Sequence, residues 1–316
     1  ILVNAPGPGS GKIATFLSQL YHEHKRGINA GYAKFETFPV WNLPLKHPVN
    51  IAYEAATADL KDINMIDPFH LEKYNINAIN YNRDVETFPI LKNILHHITG
   101  KDIYFSPTDM GVNMVGFCIK NNAIIENAAK KEVVRRYFNE LCNYKQGISD
   151  LETVQKIKIL MNELNIDENF LKVVEVSKKT SEKKKTNVIA LELPKGKIIT
   201  GKQTELLSAA SSVVINAIKE LSKMPDEINL LSPTILEPIL KLRKNNSPLS
   251  LQEVLITLAV CSVTNPSISS ALEKLDMLKE CEAHATYIVT NGDLKALKSL
   301  KINLTCEPNF YSKEIM

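Results

Sequence analysis

The sequence lacks the features of a membrane-bound or secreted protein. No apolar run approaches the ~20 residues that a transmembrane helix needs, and the N-terminus has no basic stretch leading into an apolar one. The 5 cysteines are an odd number, are widely spaced and form no Cys-x-x-Cys pair. Thiols in this arrangement indicate a reduced, intracellular chain. We therefore expect a cytoplasmic protein with no membrane partner.

A large excess of one charge is also missing. The chain has 38 Lys and Arg against 35 Asp and Glu, a net charge of +3 that is too small to indicate a nucleic-acid surface. Hydrophobic residues make up 44% and charged residues 23%, as in ordinary globular proteins. With 316 residues, the chain is long enough for two domains or for one domain with a large insertion.

The most informative segment is a glycine-rich loop near the N-terminus. It runs Pro6-Gly7-Pro8-Gly9-Ser10-Gly11-Lys12, after the apolar residues Ile1-Leu2-Val3 and before a periodic helical segment. In Walker-type loops, which it resembles, backbone N–H groups hold phosphate oxygens and the lysine reaches the terminal phosphates. We predict that Gly7, Gly9, Ser10, Gly11 and Lys12 bind ATP or a similar ligand.

The loop departs from the Walker pattern at two positions. Pro6 replaces its first glycine, and Ile13 stands where a Ser or Thr would bind Mg²⁺. Thr15 lies three residues beyond Lys12 and is the nearest hydroxyl candidate. The alternative, a Gly/Pro turn that feeds a helix, stays open. If Mg²⁺ binds, carboxylates must supply the ligands.

The flanking segments predict a strand–loop–helix–strand unit. Phe16, Leu17 and Leu20 share one face of a helix over Lys12–Arg26, and Tyr32–Val40 alternates as a strand does. The chain has no initiating Met and opens on a strand-like segment. We therefore expect the sequence to be part of a longer protein.

The segment from Trp41 to Gly116 has poor periodicity, apart from a short helix at Val49–Leu60, and reads as functional loops. The ionisable groups available near the phosphate loop are Lys34, Glu36, Asp67, His70, Arg83, Asp84 and Asp109. Each could instead form a turn or cap a helix. Asp109 is our first choice for Mg²⁺, because the turn between Pro107 and Gly111 restrains it.

The second half predicts an α/β domain that follows two helices. One helix contains Ile124 to Leu141, and Ser149 and Glu152 form a capping box at the start of the other. A strand pair is expected at Val173–Val176 and Val188–Leu193. The five-lysine segment between them, Lys178–Thr186, reads as a solvated hairpin tip. The predicted elements that follow are helices at Thr204–Leu221, Gln252–Cys261, Ser267–Lys279 and Asp293–Leu300, and strands at Thr286–Thr290 and Ile302–Thr305.

Two weaker patterns occur in this half. Thr200-Gly201-Lys202 precedes a predicted helix, so Gly201 and Lys202 are further phosphate-binding candidates, although a simple helix cap explains them as well. Cys281, His284 and Cys306 could hold zinc beside Glu282, in a pattern loosely like that of deaminases. Core and turn roles are the plainer explanation for these residues.

Long runs of the sequence resemble one bacterial family, the domain of unknown function DUF1846. They are "APGPGSGK", "GYAKFETFPVWNLPLKHPVN", "AYEAATADL", "MIDPFH", "NYNRDVE" and "SPTDMGVNMVGF", with "ITGK" and "EAH" later in the chain. The resemblance implies ATP-binding proteins with a further N-terminal segment and no established reaction. It also implies that the stretch Leu240–Leu249 is shortened here.

Together, the residues and the resemblance predict an α/β protein. Its parts would be a P-loop-like nucleotide-binding α/β domain that includes residues 1–65, a loop-rich and helical subdomain at 66–166, and a C-terminal α/β subdomain of deaminase-like topology at 167–316. The expected activity is phosphoryl transfer from ATP to a small polar substrate. Asp67, Asp84 or Asp109 would position Mg²⁺ or accept a proton, and Arg83 or Lys34 would offset developing charge.

Two other functions stay open. One is a non-catalytic sensor of a nucleotide or phosphometabolite, which the degenerate metal position favours. The other is a zinc-dependent, deaminase-like hydrolase. For the phosphoryl-transfer enzyme and for the sensor, the expected partner is a small phosphorylated molecule. The sequence leaves open whether the chain forms a homo-oligomer.

Overall fold

The computed structural model describes residues 1–4, 10–34, 38–225, 227–242 and 247–311. The fold is mixed α/β and mostly helical, with two small sheets among the described residues. The chain divides into two compact units, Ile1–Val133 and Val134–Met316. The three predicted domain ranges stay predictions. No helix in the described part of the chain is long and apolar enough to cross a membrane.

The first unit combines helices with one two-stranded sheet. Its helices are α1 (Lys12–Lys25), α2 (Pro48–Ala56), α3 (Pro68–Tyr74), α4 (Asn82–Thr99) and the start of α5 (Asn122–Lys145), within which the division between the units falls. Short 3-10 helices occur at Ala58–Leu60, Pro107–Met110 and Val115–Cys118. Strands β1 (Asn64–Ile66) and β2 (Ile79–Tyr81) pair antiparallel, with Asn64 opposite Tyr81.

Helix α1 confirms the helix predicted after the glycine-rich loop. It begins directly after Gly11, whose φ of 83° is in the left-handed region that favours glycine, and it stops before Gly27, whose φ is 78°. Leu20 is buried together with Phe88 of α4, and Phe16 packs against the same cluster. Apolar contact with α4 therefore holds α1 in the first unit.

Within the described residues, the two segments around α1 that were predicted as strands contain no strand. Neither 1–4 nor 32–34 is a strand, and 35–37 lie outside the described residues. Val40 forms only an isolated bridge with Asn113, and the amide of Lys34 donates to the carbonyl of Met110 over 2.8 Å. A strand depends on a neighbour for its backbone hydrogen bonds. Alternation of residue types alone therefore did not determine this segment.

Much of the segment that was expected to form loops is helical. Asp67 caps α3 and Pro68 is its first residue, which is a common way for a helix to start. Helix α4 runs through Pro89. Because proline lacks the N–H of a helical hydrogen bond, its presence argued against a helix in the sequence. The predicted short helix at Val49–Leu60 is confirmed as α2 and the 3-10 helix that follows it.

The second unit is built on a four-stranded sheet. Its further helices are α6 (Leu151–Glu163), α7 (Lys172–Lys184), α8 (Ala209–Leu221), α9 (Pro233–Lys241), α10 (Leu251–Ser262), α11 (Pro266–Leu272) and α12 (Asn291–Ser299), with 3-10 helices at Glu168–Phe170 and Leu275–Leu278. The strands are β3 (Val188–Glu192), β4 (Ile198–Lys202), β5 (Glu282–Ala285) and β6 (Asn303–Cys306). The sheet order is β4-β3-β5-β6, in which β3 is antiparallel to both neighbours and β5 and β6 are parallel.

Close packing of α8 on the sheet depends on one glycine. A Cβ atom at Gly201 of β4 would lie 2.1 Å from the backbone nitrogen of Val213 in α8. Only a residue without a side chain allows this approach. Val213 itself is fully buried, in a core that also contains Ile189 and Leu191 of β3.

Three local predictions in this unit are wrong. Val173–Val176 is the first part of α7 and not a strand, so the lysine-rich segment after it is mainly helix. Asp150, not Ser149, caps α6, because its carboxylate accepts from the amide of Thr153 over 2.7 Å. Thr286–Thr290 forms no strand. The sheet instead uses the four residues before it, in β5.

Candidate functional site

Lys12, the last residue of the phosphate-loop candidate, lines a pocket of about 370 Å³ in the first unit. The pocket is lined by residues 1–4, by the first turn of α1 and by residues 31–34. Lys12, the first residue of α1, and Lys34 both line it. We call it the loop pocket. It brings together two lysines that are 22 positions apart in the sequence (34 − 12).

The structure describes some of the other predicted phosphate ligands but not all of them. Gly7 and Gly9 lie outside the described residues. Ser10 and Gly11 are exposed and directly precede α1. The first backbone N–H groups of a helix have no partner within the helix, so the start of α1 favours an anion. Thr15 is exposed and does not line the pocket.

Aromatic side chains fix one wall of the loop pocket. The hydroxyl of Tyr104 accepts from the amide of Tyr32 over 2.6 Å and donates to the carbonyl of the same residue over 2.7 Å. The rings of Phe16 and Tyr32 meet edge to face, with centroids 4.7 Å apart. Tyr32 is buried, so this wall is held by packing as well as by hydrogen bonds. Tyr104 belongs to no motif in the sequence that would have pointed to this role.

Lys34 connects the pocket to the start of α4. Its ammonium group lies 2.5 Å from the Oδ1 atom of Asp84 and 5.1 Å from the ring centroid of Phe38. The Oδ2 atom of Asp84 is buried and has no hydrogen-bond partner among the described residues. Beside it, Arg83 pairs with the buried Asp62 over 3.1 Å. The structure thus places Lys34 and Asp84 together and directs Arg83 to a different carboxylate.

Asp67 belongs to a separate buried network. Its Oδ1 atom accepts from the amides of Phe69 and His70, both over 3.1 Å, as the cap of α3. Its Oδ2 atom accepts from the hydroxyl of Thr108 over 2.5 Å and from the amide of the same residue over 3.2 Å. Asp67 is fully buried. These four hydrogen bonds satisfy both of its oxygens and tie α3 to the 3-10 helix at Pro107–Met110.

Asp109 belongs to the same network and lies in the 3-10 helix at Pro107–Met110. With Ser106 it forms a capping box, and its Oδ2 atom accepts from the amides of Phe105 and Ser106 over 2.8 and 3.1 Å. The hydroxyl of Tyr74 donates to the same oxygen over 3.1 Å. The ring of His70 hydrogen-bonds Ser106 over 2.9 Å. This is the capping geometry that was the alternative to a metal ligand at Asp109.

Sequence reasoning missed most members of this network. Ser106, Thr108, Tyr74 and Asn80 hydrogen-bond to its carboxylates or to one another, and the loop-like composition gave no sign that these residues meet. The usable signal was local. Ser106-Pro107 followed by Asp109 is a capping-box pattern with proline in the first turn.

The second phosphate candidate lies in the second unit and not at a helix start. Gly201 and Lys202 belong to β4, and α8 begins at Ala209 behind its own cap, Ser208. Gly201 is explained by its close approach to α8. The predicted arrangement of backbone amides at a helix N-terminus is therefore not present here.

The residues of the zinc alternative do not assemble. No group of three or more His, Cys, Asp or Glu side chains could hold a metal among the residues that the structure describes. His284 is fully buried, with Nδ1 2.8 Å from the hydroxyl of Thr305 and Nε2 3.1 Å from a carboxylate oxygen of Glu307. Both ring nitrogens are thus occupied. Burial raises the pKa of Cys306 to about 11, which opposes the thiolate that zinc requires.

Comparison with known proteins covers the whole chain. The model of the domain of unknown function DUF1846, N-terminal, matches residues 1–165, and its C-terminal counterpart matches residues 169–316. A "UPF0371 protein" of Clostridium tetani (strain Massachusetts / E88) is 50% identical over 329 residues. One from Clostridium botulinum (strain Alaska E43 / Type E3) is 51% identical over the same length. The alignments cover 100% of this chain and 66% of each relative, so the chain spans just under two thirds of their length.

Proposed function

The chain belongs to the DUF1846 family, and we propose that it binds ATP or a similar phosphorylated small molecule in the loop pocket. The observation that carries this proposal is that Lys12 and Lys34 line the same pocket at the exposed start of α1. The ammonium group of Lys12 and a helix N-terminus favour a phosphate group, and Lys34, which also pairs with Asp84, adds a second ammonium group to the lining. We propose that residues 5–12, which the sequence identifies as a Walker-like loop, form the cradle.

The reaction that we propose is phosphoryl transfer to a small polar substrate. Lys12 would hold the terminal phosphates, and Lys34 would offset charge that develops in the transition state. Asp84 is held against Lys34, close to the pocket, and is the candidate to position the attacking group or a metal. Arg83 can take part only if it leaves Asp62.

Mg²⁺ fits this site best through Asp84. Mg²⁺ in nucleotide sites binds one or two carboxylates together with phosphate oxygens. Asp84 has a buried oxygen that has no partner within the described ranges, whereas the Oδ2 atom of Asp109 already accepts three hydrogen bonds. We therefore propose Asp84 before Asp109 as the ligand. When bound, the ion would neutralise charge on the phosphates.

A non-catalytic sensor is the second candidate. Asp67 and Asp109 were two of the three carboxylates expected to serve catalysis, and both are engaged at helix starts, Asp67 as the cap and Asp109 as the partner of Ser106 in a capping box. Of those three carboxylates only Asp84 is left for catalysis within the described residues, and this favours binding over turnover. Incubation with γ-labelled ATP and a mixture of polar metabolites separates the two functions. Transfer of label supports the enzyme, and tight binding without transfer supports the sensor.

The ligand itself can be tested with two lysine variants of α1. We predict that Lys12→Ala weakens ATP binding by about 1.5–3 kcal/mol, because a hydrogen bond to a charged group is lost. Lys25→Ala removes the same charge from the other end of the same helix and should leave the affinity unchanged. Calorimetric titration of the intact protein measures both. Equal affinities for wild type and Lys12→Ala would contradict the assignment of residues 5–12 as the phosphate-binding loop.

A further inference from the structure

A second pocket, in the second unit, has a strongly cationic lining. It has a volume of about 400 Å³ and lies where the end of α7, the edge strand β4 and one side of α8 come together. Each of these elements contributes one lysine: Lys184 from α7, Lys202 from β4 and Lys219 from α8. We call it the lysine pocket. The loop pocket lies in the other unit and shares no residue with it.

The described lining is uniformly cationic in its charged residues. None of the described residues that line the lysine pocket is an Asp or a Glu. Lys184 and Lys202 are exposed, and neither forms an ion pair with a carboxylate in the part of the chain that the structure describes. Like charges that share a pocket repel one another, so an anion that enters it gains from both Lys184 and Lys202.

The rest of the lining suits an organic anion. Hydroxyl and amide side chains such as Thr204 and Asn216 can donate hydrogen bonds, and Asn216 is held by its own bond to the carbonyl of Thr200 over 3.0 Å. Ile215 and Leu231 give the pocket an apolar side. A few polar groups in a partly apolar cavity of this size are typical of small-molecule sites.

We propose that the lysine pocket binds a small organic molecule that carries a phosphate or diphosphate group. Lys184 and Lys202 would neutralise the phosphate oxygens, and the apolar side would contact the organic part. This site goes beyond the proposed function, because it lies in a different unit and does not depend on the phosphate loop. It also gives a purpose to the lysine-rich end of α7, which the sequence suggested was only a solvated tip.

Inorganic pyrophosphate is the probe that tests this site, because it carries the charged group without the organic part. The variant removes two exposed lysines of the pocket, Lys184→Ala with Lys202→Ala. The control removes two exposed lysines that do not line it, Lys183→Ala with Lys195→Ala, and so has the same net charge. All proteins also carry Lys12→Ala, which disables the loop pocket. Calorimetric titration measures the dissociation constants.

We expect the control to bind pyrophosphate with the constant of its Lys12→Ala parent, and the pocket variant to bind at least about tenfold more weakly, since two charge-assisted hydrogen bonds are lost. Equal binding by the two variants would overturn the proposal, as would a Lys12→Ala parent that binds no pyrophosphate at millimolar concentration. Failure of the loop pocket is a separate result. It would appear as unchanged ATP binding in Lys12→Ala alone.

Discussion

Asp84 and Asp109 are both carboxylates in the first turn of a helix, and their partners separate their roles. Asp109 accepts hydrogen bonds from two backbone amides and from Tyr74, so its charge is used within the fold. Asp84 pairs with Lys34 through one oxygen and buries the other. A buried carboxylate oxygen without a partner is costly unless a ligand or ion satisfies it. The two residues thus form a natural pair of test positions.

We predict that Asp84→Asn removes the effect of Mg²⁺ on ATP affinity, because the amide lacks the charged oxygen that the ion prefers. Asp109→Asn should retain that effect and cost little stability, since the side-chain oxygen of Asn can still accept the capping-box hydrogen bonds from the amides of Phe105 and Ser106. Titrations of ATP with and without Mg²⁺ check both variants. Should Asp109→Asn alone abolish the Mg²⁺ dependence, Asp109 is the ligand after all.

At the scale of the helix and strand, sequence reasoning succeeded where a periodic face coincided with end signals. Helices α1, α8 and α10 have such faces, and the structure confirms them within a few residues, apart from the first turn of α8. The reasoning failed where one pattern fits two structures. Val173–Val176 is an apolar run that fits a strand or a buried helix turn, and its place at the start of α7 depends on tertiary contacts.

The candidate site was predictable only where its residues are close together in the sequence. The glycine-rich loop and Lys12 follow from spacing along the chain, because phosphate loops are local motifs. The pairing of Lys34 with Asp84 joins residues 50 positions apart. The lysine pocket draws on α7, β4 and α8. Contacts of this kind depend on how the elements pack, which one sequence does not display.

At the scale of the whole molecule, the second unit contains a buried charge network that couples stability to pH. Burial lowers the pKa of His284, and this effect outweighs the hydrogen bond that it makes with Glu307. Burial alone would raise the pKa of Glu307, but hydrogen bonds from His284 and Lys178 make the net shift downward. Since an ionised carboxylate can only accept, neutral His284 donates from Nε2 to Glu307, and its Nδ1 lies 2.8 Å from the hydroxyl oxygen of Thr305.

The lowered pKa of His284 predicts a loss of stability in mild acid. Below the ordinary histidine value of 6.5, the unfolded chain binds a proton that the folded chain does not bind, until the pH reaches the lower folded value. Within that window the free energy of unfolding should fall by up to about 1.4 kcal/mol per pH unit. Glu307 adds stability that is lost only in stronger acid, since the ordinary value of its pKa is 4.5.

Urea unfolding at pH 7.5 and pH 5.5 measures this effect. His284→Gln should be less stable than wild type at pH 7.5, and its stability should depend less on pH between the two values. His22→Gln changes an exposed histidine, and the change in its free energy of unfolding between pH 7.5 and pH 5.5 should equal that of wild type. If the free energy of unfolding changes equally with pH in wild type and His284→Gln, other groups cause the acid sensitivity.

The central claim is that ATP or a related nucleotide binds at the start of α1, and photoaffinity labelling tests it most directly. The intact protein is irradiated with an azido derivative of ATP, digested, and the labelled peptides are identified by mass spectrometry. The account predicts label on peptides that contain residues 1–34, lost in Lys12→Ala and retained in Lys25→Ala. Label that falls only on peptides outside residues 1–34, or that persists unchanged in Lys12→Ala, would contradict it.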